Sequence, residues 1–144
     1  MSVVKRRQQF EQAVQRHSWL DGDQINLLGY DLSTEPITGG GRVRLTLYWQ
    51  ASGPIKTSYT VFAHLLDASG QVVAQHDGVP AEGAILTTDW AAREIISDRH
   101  LIEFPALPPG DYQVVVGMYD GATGERLPAS SGDTVIPLET IPLQ

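Results

Sequence analysis

Between residues 46 and 77 the chain reads TLYWQASGPIKTSYTVFAHLLDASGQVVAQHD, with two histidines, two aspartates and four aromatic rings. Residues of these types could ligate a metal, exchange protons, or stack a flat ligand on rings while polar groups orient it. A zinc site needs three or four N, S or O donors, and His64 and His76 have no third ligand near them in the sequence. The turn from Asp120 to Gly124 offers oxygens but lacks the acidic density of a calcium loop. Signatures of the G-x-S-x-G and H-E-x-x-H kind are absent. The glycines of TGGGR, 38–42, lack the Lys-Ser/Thr pair and the helix that phosphate cradling requires, and read as a turn. The chain has no cysteine, which removes disulfides, thiolate ligands and thiol nucleophiles. The reading therefore needs no metal and no cofactor, and it points away from an enzyme.

The remaining chemistry is recognition, and it depends on strands to place the side chains. Short β-rich runs separated by Gly, Pro, Asp and Ser clusters predict strands near Gln24–Asp31, Arg42–Ala51, Ser58–Leu66, Gln71–Asp77, Ile95–Phe104, Asp111–Asp120 and Thr134–Ile141. Seven such runs without helical periodicity between them imply an all-β antiparallel sandwich, immunoglobulin-like or jelly-roll-like, over residues 22–144. PPG at 108–110 forces a turn, and Tyr112 just after it is placed to hydrogen-bond back to the preceding loop.

Alternation assigns the faces. With the second and third runs paired so that Leu45 opposes Ala63, one layer holds Val43, Leu45, Leu47 and Trp49 with Tyr59, Val61, Ala63 and Leu65. The other face then gathers Arg44, Thr46, Tyr48, Phe62 and His64, a platform of guanidinium, phenol, phenyl and imidazole suited to the C–H faces and hydroxyls of a sugar. The plainer account is that strands prefer aromatic and β-branched residues anyway, and such pairs simply stabilise a sheet. Asp67 to Gly70 has the composition of a type I turn closed by a left-handed glycine. A three-residue loop there sets His64 against Ala74 and His76 against Phe62, on one face; a four-residue loop sends the imidazoles to opposite faces. Asp98 and Arg99, adjacent on a strand, point apart, so an ion pair with another loop is expected for them. Trp90 is either a loop anchor on the sandwich edge or an exposed ring for ligand.

The first 21 residues differ in texture. Phe10, Ala13 and Val14 fall at helical spacing within Gln9–His17, and this narrow stripe must dock on the domain or on another chain. Lys5, Arg6, Arg7 and Arg16 against Glu11 give the first twenty residues a charge of +3, which leaves -10 of the net -7 for the rest. An acidic body without a basic aromatic stripe excludes nucleic acid as the expected partner. No apolar run is long enough to span a bilayer, and MSVVKRRQQ lacks the apolar core of a secretory signal.

The phrases INLLGYDL (25–32), LTLYWQA (45–51), YTVFAHLLDASGQVVAQHDGVP (59–80) and LPPGDYQVVVGMYDGATGERLP (107–128) resemble a β-sandwich module that follows the membrane part of bacterial protein-mannosyltransferase-like glycosyltransferases. The resemblance implies an extracytoplasmic or cell-surface accessory domain and no catalytic residues. Two functions follow as expectations. One is a non-catalytic carbohydrate-binding module using Arg44, Tyr48, Phe62 and His64 with Trp90 at the edge. The other is an assembly module in which Phe10 and Val14 bury against a protein partner or a second copy of the chain.

Overall fold

The computed structural model describes residues 18–20, 24–128 and 133–144, so the predicted helix with Phe10 and Val14 lies outside the described residues. Two antiparallel sheets form a β-sandwich, as the spacing of the runs predicts. One sheet has the order β1 (Ser18–Leu20), β2 (Gln24–Ile37), β3 (Gly40–Ala51), β6 (Ile95–Pro105). The other has the order β5 (Val72–Gly78), β4 (Tyr59–Leu66), β7 (Gly110–Asp120), β8 (Ile136–Leu143). All seven predicted strands are present, and β1 adds a short edge paired to the start of β2.

The core lies between the sheets and is built from one parity of each strand. Val43, Leu45, Leu47 and Trp49 of β3 and Tyr59, Val61, Ala63 and Leu65 of β4 are all buried in it, as alternation requires. The pairing of these two strands, however, is corrected by the structure. β3 pairs with β2 and β6, while β4 pairs with β5 and β7. Residues 52–58 therefore arch from one sheet to the other, and Leu45 and Ala63 lie in opposite layers instead of side by side. Thr87 fastens this arch: its hydroxyl donates to the Thr57 carbonyl at 2.6 Å and accepts from the Tyr59 amide at 3.0 Å.

Tyr112 donates its hydroxyl to the Pro108 carbonyl at 2.7 Å, which ties β7 to the turn before it. Asp67 organises the β4–β5 hairpin, its Oδ1 accepting from the Ser69 amide and hydroxyl and from the Gln71 amide, and Gly70 supplies the left-handed φ of 87°. That loop has the predicted three residues, yet the pairing then slips by one: Leu66 opposes Val72, but Leu65 opposes Ala74. Val73 is a bulge, and beyond it every side chain of β5 is turned over relative to the simple hairpin. His64 consequently opposes Gln75, and His76 opposes Ala63 on the inward face.

Candidate functional site

Because β3 and β4 belong to different sheets, the predicted platform is divided. Arg44 and Tyr48 lie on the outer face of one sheet, and Phe62 and His64 on the outer face of the other. Neither half is an open ring surface. Tyr48 is 6% exposed and donates its hydroxyl to Asp31 Oδ2 at 2.6 Å. Phe62 is 1% exposed, with the Arg126 guanidinium 4.4 Å above its ring and Tyr119 stacked 6.3 Å away. His64 sits 4.8 Å from the Phe62 ring and 3.8 Å from Asp77 Oδ1. Burial holds the His64 imidazole below the usual histidine range, Asp77 opposing and Arg126 reinforcing the shift. Trp90 is a core anchor at 4% exposure and not an edge ring.

The structure assembles different residues into a site at one side of the sandwich, where the edge strands β5 and β6 of opposite sheets meet. On β6, Ile96, Asp98, His100, Ile102 and Phe104 share the inward parity, so two polar groups interrupt an apolar row. Asp98 is fully buried and His100 is 4% exposed. Three N–H groups converge on the Asp98 carboxylate: the Ala81 amide at 3.0 Å on Oδ1, and Trp49 Nε1 at 3.2 Å and His100 Nε2 at 2.8 Å on Oδ2. The other nitrogen of His100, Nδ1, lies 2.8 Å from Nδ1 of His76, the residue that the Val73 bulge turns inward. Asp98, His100 and His76 thus form one chain of hydrogen bonds running from the interior to the surface. Burial first, and the neighbouring His100 next, hold the His76 imidazole below the usual histidine range against the pull of Asp98 and Asp77.

This chain ends in an open groove of about 880 Å3, within the roughly 300–1,000 Å3 of small-ligand sites. His76 and His100 line it with Arg44, Thr46, Asp77 and Glu82, and Arg99 stands beside them. Of the predicted platform, Arg44 and Thr46 are found here, while Tyr48, Phe62 and His64 are not. Arg44 Nε bonds Glu35 at 2.7 Å, and Arg99 Nε bonds Glu82 at 3.1 Å, which is the loop ion pair expected near Asp98. The groove rim is strained: Ala81, Glu82 and Gly83 are successive left-handed residues, with φ of 57°, 59° and 85°. The Asp98 bond to the Ala81 amide helps to hold that turn. The signal for this site was present in the sequence as Asp98 and His100 at a spacing of two within an apolar-parity row; attention to the neighbours Asp98 and Arg99 missed it.

Compared with known protein families and with curated proteins, the chain has no match. Among solved structures it is similar to part of a β-glucuronidase from glycoside hydrolase family 2, with a TM-score of 0.52 and 12% identity over 79% of this chain. The chain spans 10% of that enzyme's length. The likeness is one of fold, a β-sandwich of the same kind.

Proposed function

We propose that this domain is a non-catalytic, extracytoplasmic accessory module, as its sequence resemblance implies, and that it holds a saccharide in the groove between β5 and β6. The observation that carries the reading is the lining: guanidinium donors, carboxylate acceptors, a threonine hydroxyl and an imidazole surround a concavity walled by Val79, Leu101 and backbone. Sugars present alternating hydroxyls and C–H surface, and such mixed walls complement them. Against catalysis stands the engagement of the groove carboxylates. Glu82 pairs with Arg99, and Asp77 accepts from the Tyr119 hydroxyl at 3.1 Å and neighbours His64. A glycosidase pair needs two carboxyl groups free to donate, accept or attack.

The alternative of assembly draws on exposed strand edges and on Phe10 and Val14, which lie outside the described residues; the edges β5, β6 and β8 favour it less. β8 carries Pro137 and Pro142, β5 carries the Val73 bulge, and β6 carries the inward Asp98 with Arg99 and Glu103 outward. These are devices that discourage strand addition. Titration calorimetry with a panel of oligosaccharides tests the proposal. Binding that weakens at least about tenfold in His76→Ala and in Arg44→Ala, and persists in Tyr48→Phe, is the expected result. Saccharide binding unchanged in both groove variants would remove the groove from the reading.

A further inference from the structure

The hydrogen-bond chain fixes where protons sit. The Asp98 carboxylate only accepts, so His100 must carry its proton on Nε2, and its Nδ1 is then a lone pair. At 2.8 Å from that lone pair, His76 Nδ1 must be the donor. His76 is thereby forced into the Nδ1–H tautomer, and its Nε2, which has no hydrogen-bond partner among the described residues, is left as a bare acceptor on a residue that lines the groove. One added proton fits at His76 Nε2 without breaking any bond of the chain. A second would have to enter at His100 Nδ1 and would set two N–H donors against each other at 2.8 Å. The pair therefore takes up one proton without losing a bond, and whichever of the two rings carries the charge, His76 Nε2 changes from an acceptor to an N–H donor.

The consequence is electrostatic. Arg44 from β3, Arg99 from β6, Asp77 from β5 and Glu82 from the connecting loop make the groove lining neutral when both imidazoles are neutral. Asp98 and His100 face His76 from β6, and His64 reaches Asp77 from the far side of β4. We infer that the Asp98–His100–His76 chain is a proton-operated selector: it presents an acceptor to neutral saccharides, and on taking one proton it adds a unit of positive charge and an N–H donor to the groove, which favours saccharides that carry a carboxylate. This rests on the groove being the saccharide site. The depressed affinity of His76 for its proton, caused by burial and by His100, places the change on the acid side of the ordinary histidine range.

Two measurements separate the relay from the ligand. Nitrogen NMR of the imidazoles in the unliganded protein at about pH 7.5 is expected to show His76 as the Nδ1–H tautomer and His100 as Nε2–H, with His76 Nε2 gaining a proton on acidification. Finding His76 as Nε2–H in the unchanged protein overturns the relay whatever the groove binds. The ligand arm compares a glucuronate-bearing oligosaccharide with its neutral glucose counterpart at about pH 7.5 and about pH 5. The affinity ratio should move toward the uronate by about fivefold, the effect of a unit charge at about 4 Å in water, and should stay constant in His76→Gln. A constant ratio in the unchanged protein overturns the selector. Failure of both sugars to bind overturns the saccharide reading and the ligand half of the inference, while the tautomers still decide the relay.

Discussion

Gly117→Ala should destabilise this domain, although alanine ordinarily improves a strand position. Gly117 lies on β7 directly opposite Phe62 on β4, and a Cβ there would stand 2.3 Å from Phe62 Cζ, 2.5 Å from Cε2 and 2.9 Å from the Thr134 carbonyl oxygen. Non-bonded carbons settle at about 3.5–4.0 Å, so the ring must move by more than about 1 Å. It has little room, being held by His64, Tyr119 and the Arg126 guanidinium. Overpacking of this kind costs about 1–3 kcal/mol, and disturbing the cation–π contact adds about 0.5–1 kcal/mol. The lower backbone entropy of alanine offsets about 0.5–1 kcal/mol. A net loss of about 1–3 kcal/mol is expected in urea unfolding followed by tryptophan fluorescence, read as a lower midpoint at constant slope. Phe62→Leu should relieve the clash, so the double variant should be more stable than the sum of the single losses by at least about 1 kcal/mol. Strict additivity, or a Gly117→Ala variant as stable as its parent, would refute the account of Phe62 as a ring clamped over a glycine.

Asp98→Ala removes the acceptor shared by the Ala81 amide, Trp49 Nε1 and His100 Nε2, and should lose about 3–5 kcal/mol in the same assay, whereas Arg99→Ala on its exposed ion pair should lose under about 1 kcal/mol. His64 and His76 both hold their protons less tightly in the fold than the ordinary value of 6.5, so the unfolded chain binds more protons just below that value. Their contribution to stability is complete above 6.5 and declines as pH falls toward the folded-state values; the urea midpoint should drop between about pH 7.5 and about pH 5, and less so in the double glutamine variant. Arg93 adopts φ of 67° while its amide bonds the Ala51 carbonyl, so Arg93→Gly should keep that bond and gain up to about 1 kcal/mol; a loss of that size would contradict strain at the position.

Local rules carried the sequence reading as far as local rules reach. The parity of β3 and β4, the Tyr112 bond to Pro108 and the three-residue turn at Asp67 are all consequences of residues within a few positions of each other. Partnership is different in kind. An apolar face on β3 and another on β4 satisfy the same pattern whether the strands lie side by side in one sheet or face each other across two, and SGPIKTS at 52–58 carries no signal that separates a hairpin from an arch. The burial of Phe62 and Tyr48 escaped for a similar reason: their covers, Arg126 and Asp31, come from distant or diagonal positions. The Val73 bulge escaped because a single inserted residue leaves composition and turn chemistry intact while reversing every side chain after it.

That bulge also links the architecture to the groove chemistry. Without it, His76 would point away from the interior, and His100 Nδ1 would face the sandwich edge with no partner there from β5. An inward-pointing acid and imidazole on an edge strand protect that edge from pairing with another chain, but only if their buried hydrogen-bonding groups are satisfied. Trp49 and Ala81 satisfy part of Asp98, His100 the rest, and His76 closes the series at the surface. The trio that caps the edge is therefore the same trio that fixes the groove tautomers, and its two roles can be separated. His76→Gln keeps a side-chain amide able to donate to His100 Nδ1 and should retain most of the stability, yet it cannot take up a proton in the range where histidine does.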